Sequence, residues 1–186
     1  MKLKHVLGAV VTILAIAGAV SFAAPEEKSE WTYPVVQGYS PAWPLPQAAV
    51  QPEKGKVYRA VFEVSKLGEQ PTDPAPGLLH AARTYNVFAA DGVPAKDMKI
   101  AIVMHGPAGF AAMDNATYRA KYNVDNPNIK LLSELKKAGA EIYLCGQTLH
   151  GQKFQESAML PEVRLATSAM IVLVSYQNNG YALLAF

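Results

Sequence analysis

From Lys56 onward the chain alternates short apolar runs with stretches of helical spacing, and few folds accommodate that alternation. Apolar segments at 57–64 (VYRAVFEV), 99–104 (KIAIVM) and 141–145 (EIYLC) read as strands, with a weaker one at 163–165 and a last one, YALLAF, at 181–186. The first alternates partly, the next two are short apolar runs, and strands alternating with helices are the signature of a mostly parallel sheet covered on both faces. The expected fold is therefore α/β, a flavodoxin-like three-layer sandwich with a mostly parallel five-stranded sheet.

The helices between the strands carry their own punctuation. Asp73 with Pro74 reads as an N-cap and first-turn proline, followed by Leu78, Ala82, Tyr85 and Ala89 at helical spacing up to Gly92. Asn126 with Pro127 repeats the device ahead of Leu131, Leu132, Leu135 and Ala138, with Gly139 as terminator. A third helix, over about 167–178, contains AMIVLV and is apolar almost all round, so burial is expected on every side.

What precedes residue 56 is of a different kind. Lys2 and Lys4 are followed by an uncharged run over 6–20, with Ser21 and Ala23 as small residues ahead of a cleavage point. This is the pattern of a secretory signal over residues 1–23, and the run is short for a membrane span, which takes about 20 apolar residues. A periplasmic or secreted protein, with no membrane association after cleavage, is the expectation. Residues 24–55, rich in proline and aromatics, are expected as an extended arm, and residues 56–186 as one α/β domain.

The signal carries two of the 17 basic residues and no acid, which brings the mature chain to parity with its 15 acidic residues. The sequence pI of about 8.6 therefore partly reflects the signal, and no electrostatic case for nucleic acid is left. A single cysteine, Cys145, excludes an intrachain disulfide, a CxxC redox pair and a multi-cysteine zinc site. No phosphate-binding glycine loop follows a strand, no G-x-S-x-G elbow is present, and the histidines are too scattered for a metal motif, so neither cofactor nor metal is expected.

In open α/β sheets, ligands bind beyond the carboxyl ends of the strands. Two strand tips carry candidate chemistry: His105-Gly106-Pro107-Ala108-Gly109 after the second strand, and Cys145-Gly146-Gln147-Thr148 after the third. A cysteine before a helical turn faces backbone N–H groups that favour its thiolate. A buried cysteine filling apolar space is the alternative, and position alone does not choose between them. His105 is a candidate acid, base or thiolate partner; Gly106, Gly146, Gln147 and Thr148 are candidate binding residues around it. His150, five residues beyond Cys145, is a weaker candidate for the same cavity, and His80 needs no special role.

The stretch from HGPAG through NPNIKLLSELKKAGAEIYLCGQTL to LPEVRLATSAMIVLVSYQNNGYALLAF resembles the DsrE/DsrF-like family of sulfur-relay proteins, in a branch with a histidine-glycine tip and a CGQ-type cysteine turn. The resemblance spans about 56–186. It implies a flavodoxin-like fold, a homo-oligomer, and sulfane sulfur carried as a persulfide on Cys145, with donor and acceptor unspecified. It assigns no role to His105. A non-catalytic ligand-binding or oligomeric assembly module, with Cys145 buried and structural, is the rival.

Overall fold

A computed structural model of the protein describes residues 30–186. The expected signal, residues 1–23, lies outside the described residues. Five strands form one sheet: β1 (Tyr58–Val64), β2 (Met98–Met104), β3 (Glu141–Cys145), β4 (Arg164–Ala166) and β5 (Ala182–Ala185), each close to an expected segment. Their order is β4-β3-β2-β1-β5 and every pairing is parallel, so the fold is an α/β sandwich with an all-parallel sheet.

This order dictates where the helices lie. The chain steps from β1 to β4 in one direction, and right-handed crossovers put all those connections on one face. They are α1 (Pro76–Ala90), α2 (Asn115–Tyr122), α3 (Ile129–Lys137) and α4 (Gly146–Gly151). The return from β4 to β5 runs the other way and puts α5 (Ala169–Asn178) on the opposite face. The core is divided accordingly. The larger part joins Phe62, Ile102, Met104, Ile142 and Leu144 to Leu78, Tyr85, Tyr118, Leu131, Leu132 and Leu135. The smaller joins Val61, Ala101, Val103 and Cys145 to Ala169 and Val172 of α5.

Two expected caps are relocated. The first helix begins at Pro76, not at Pro74, and Asp73 instead closes a turn by accepting the Gln70 N–H at 3.1 Å. Asn126 is not a cap but is buried, and its amide donates to the carbonyls of Ala111 at 3.0 Å and Met113 at 2.6 Å. Its Oδ1 accepts from Asn128, whose own Oδ1 accepts the Ala75 N–H at 2.7 Å and so serves the start of α1. These amides satisfy loop backbone that would otherwise be buried unpaired, a need that outweighs capping their own helix.

The segment over 24–55, expected as an extended arm, is a folded loop across its described part. Thr32 and Ala42 form an antiparallel bridge, and buried Asn86 of α1 holds the bend. Asn86 Oδ1 accepts the N–H groups of Val35 and Val36, and Nδ2 donates to the carbonyls of Val36, Tyr39 and Ser40. The tryptophans are not the anchors: Trp31 and Trp43 stack edge to face at 5.5 Å and stay exposed.

The helix expected to be buried all round is α5, and it is covered on one side only. Met170 (73 %), Ile171 (55 %) and Val174 (57 %) face outward, because among the described residues α5 is the helix on its face of the sheet and none packs on its outer side. No helix among the described residues is long and apolar enough to cross a membrane.

Candidate functional site

The parallel register aligns the strand ends. Val64 pairs with Met104, Met104 with Leu144, and Cys145 with Ala166, so the segments leaving β1, β2, β3 and β4 emerge along one edge. There a cavity of about 360 Å³ is lined by Glu63, His105, Gly106, Cys145, Gln147 and Thr148, and closed by Ser168, Ala169, Met170 and Leu173.

Cys145 ends β3 and occupies the position before the first turn of α4. It is 5 % exposed. Burial pushes its thiol pKa up, but hydrogen bonds from the backbone N–H groups of Ala169, Thr148 and Gln147 and from the Thr148 hydroxyl outweigh that, and hold it below the ordinary thiol value. The sulfur thus sits between the starts of α4 and α5, where unpaired N–H groups point outward. An accepting sulfur gains most from such donors when it is ionised.

Thr148 links the two strand tips. Its Oγ1 accepts the Gly106 N–H at 2.9 Å, and its hydroxyl is among the groups that hold the Cys145 thiol below its ordinary value. Glycine is required twice to make this arrangement possible. A Cβ on Gly109 would lie 2.6 Å from Thr148 Cγ2, and one on Gly146 would lie 2.9 Å from the Ala166 carbonyl oxygen. Gly146 therefore does not line the cavity; it lets the end of β4 close against the cysteine turn.

His105 begins the segment after β2, with its backbone N–H donated to Val64 O at 3.0 Å. Its Nε2 is 2.8 Å from Glu63 Oε1, so Nε2 carries the proton donated to the carboxylate, and in the neutral ring Nδ1 holds the lone pair. The structure brings Cys145, His105, Gly106, Gln147 and Thr148 together around one cavity. His150 is exposed and outside it, and His80 stacks on Phe186 at 4.2 Å.

Glu63 is the residue that sequence reasoning passed over. Within VYRAVFEV it reads as one polar position of a strand, and the available signal was an acid next to the carboxyl end of an apolar run. Ser168, Met170 and Leu173 were legible only as parts of a helix. A larger depression of about 570 Å³ over α3, lined by residues such as Asp125, Lys130 and Glu162, contains neither cysteine nor histidine. Among the described residues no group of three His, Cys, Asp or Glu side chains is arranged to hold a metal.

Fold and site together define a three-layer α/β protein with a cysteine cavity at the carboxyl edge of a parallel sheet. The model of the DsrE/DsrF-like family matches residues 58–186, and the chain belongs to that family. Among solved structures it is similar to MTH1491, a protein of unknown function from Methanobacterium thermoautotrophicum, with a TM-score of 0.52 and 20 % identity over 69 % of this chain and 99 % of that one. The ychN protein from E. coli is also similar, with a TM-score of 0.49 and 14 % identity over 69 % of this chain and 99 % of that one. Comparison with curated proteins yields no match.

Thr148→Val removes the hydroxyl donor while keeping the side-chain volume. Its expected effect is to move the pH midpoint of Cys145 alkylation upward from the lowered wild-type position toward that of an ordinary thiol, and to slow alkylation at neutral pH. Because the folded-state pKa is depressed, ionisation stabilises the wild type progressively as pH rises through the folded value to the unfolded one, and that stabilisation is lost on the way down. The variant should show a smaller rise over the same window. An unchanged midpoint would mean that the hydroxyl does not act on the sulfur.

Proposed function

We propose that this protein carries sulfane sulfur on Cys145, outside the cytoplasm, as a relay component with no chemistry beyond sulfur exchange. The observation that carries the reading is a cysteine sulfur at the start of α4, lining a cavity at the carboxyl edge of the sheet, with backbone N–H groups and the Thr148 hydroxyl favouring its thiolate. In the exchange, the Cys145 thiolate attacks the outer sulfur of a donor R–S–SH. A new Sγ–S bond forms, the donor S–S bond breaks, and its electron pair leaves with R–S⁻. One disulfide-type bond replaces another, so no external oxidant or reductant is consumed. With no second cysteine in the chain to resolve the adduct, the persulfide waits for an external acceptor.

His105 lines the same cavity, and with Nε2–H held by Glu63 its Nδ1 lone pair is the one left to take the thiol proton as Cys145 ionises. The 5 % exposure of Cys145 favours the rival reading of a structural cysteine in an assembly module. Cys145 has the apolar neighbours of such a residue, Val61, Val103 and Val172 among them, but a cysteine that only fills space has no need of donors that hold its thiol below the ordinary value.

Export is supported by the signal-like pattern over residues 1–23, and self-association by the apolar outer side of α5 beside β5, an edge strand without a charge. Light scattering of the mature chain at micromolar concentration should give a multiple of the monomer mass, and Ile171→Lys should reduce it. A wild-type monomer would remove the self-association.

Incubating the reduced, folded protein with a persulfide donor should add about 32 Da, the mass of one sulfur atom, reversed by a thiol reductant and absent from Cys145→Ser. Uptake by the unfolded chain but not by the folded one would make Cys145 a structural residue.

A further inference from the structure

The cavity around Cys145 has a one-sided charge. No lysine or arginine lines it, and its one carboxylate, Glu63, directs Oε1 to His105, while Oε2 has no partner among the described residues. Glu63 follows Val61 by two residues in β1, so its side chain leaves the sheet on the same face as Val61 and Cys145. With β2 between them, β1 and β3 are roughly 10 Å apart. A small donor reaching the sulfur therefore enters the one cavity that the carboxylate also lines, with Met170 and Leu173 along its side. Charges so placed interact more strongly than they would in bulk water, and a cleft of one sign raises or lowers the local concentration of charged reactants.

We infer that Glu63 sets the substrate class of this site: donors that are neutral or positively charged beside their sulfane sulfur, such as aminothiol persulfides, are admitted, and anionic donors of the thiosulfate type are rejected. The inference rests on Cys145 being the sulfur-accepting group. Its physical content is that an anion has no cation to pair with in the cavity and meets both a carboxylate and a thiolate. A donor ammonium, by contrast, gains the free Glu63 oxygen as a charge-assisted hydrogen-bond acceptor. Glu63 here is a specificity-determining residue and takes no part in the bond exchange itself.

The test uses three methanethiosulfonates that differ in charge: the neutral methyl, cationic 2-aminoethyl and anionic 2-sulfonatoethyl reagents. Each transfers its thioalkyl group to the Cys145 thiolate, with methanesulfinate as the leaving group, so all report on the same sulfur. Rates on the folded protein are divided by those on the urea-unfolded chain to remove intrinsic differences. The expected result is that the cation outpaces the anion by about tenfold or more after this correction. The neutral replacements Glu63→Gln and Glu63→Met should collapse the ratio, and Glu63→Asp should retain it. Two neutral replacements keep the test decisive if one of them does not fold. Equal corrected rates in the wild type, or a ratio unchanged in a folded neutral variant, would overturn the role of Glu63 while leaving Cys145 a reactive thiol. Silence of the folded protein toward all three reagents would defeat the carrier reading and this inference with it.

Discussion

The parallel pairing of β2 between β1 and β3 is the constraint on which the site depends. Because neighbouring strands run in the same direction, their carboxyl ends share an edge, and each connection starts there with unpaired N–H groups. Three side chains far apart in sequence are thereby set around one space: Glu63 from β1, His105 just beyond β2 and Cys145 at the end of β3. The reversal after β4 adds the last element, since it sends α5 to the face toward which Cys145 points and supplies the Ala169 N–H to its sulfur. An antiparallel arrangement of the same strands would divide these groups between opposite edges.

Around that edge the chain satisfies backbone with buried amides. Asn126 holds the carbonyls that end the segment after His105, and Asn128 ties that corner to the start of α1. The Gly106 N–H then meets Thr148, which meets the sulfur. The position of Thr148, one of the groups acting on the cysteine, is thus tied to packing of the larger core half, on the opposite face of the sheet from α5. Close-packed interiors transmit small displacements, so substitutions at Gly109 or Asn126 bear on the thiol without touching it.

The strands were legible in the sequence because helical stretches separate them, KIAIVM and EIYLC being short apolar runs and VYRAVFEV alternating in part. The strand-tip rule then placed His105 and Cys145 at the same edge. What escaped was set by distant partners. Asn86 sits at an interior helix position where a polar residue reads as solvent-facing, yet it clamps a loop about 50 residues earlier. Asn126 ahead of a proline looks like a cap and is a buried loop anchor. Apolar content all round α5 reads as burial, although a single chain provides cover for only one side. Glu63 acquires its meaning only from His105, 42 residues later. Local pattern reveals periodicity and ends; it does not reveal which backbone group or side chain a polar residue will meet.

The central claim is that Cys145 is the atom on which this protein holds sulfur. The most direct measurement is the mass of the Cys145 peptide from protein isolated from its native compartment, alkylated before unfolding. A fraction should carry an additional sulfur between Sγ and the alkyl group, about 32 Da above the simple alkyl adduct, lost when reductant is added before alkylation. A Cys145 that is never found with extra sulfur, and that takes up alkylating reagent only after the protein has been unfolded, would contradict it.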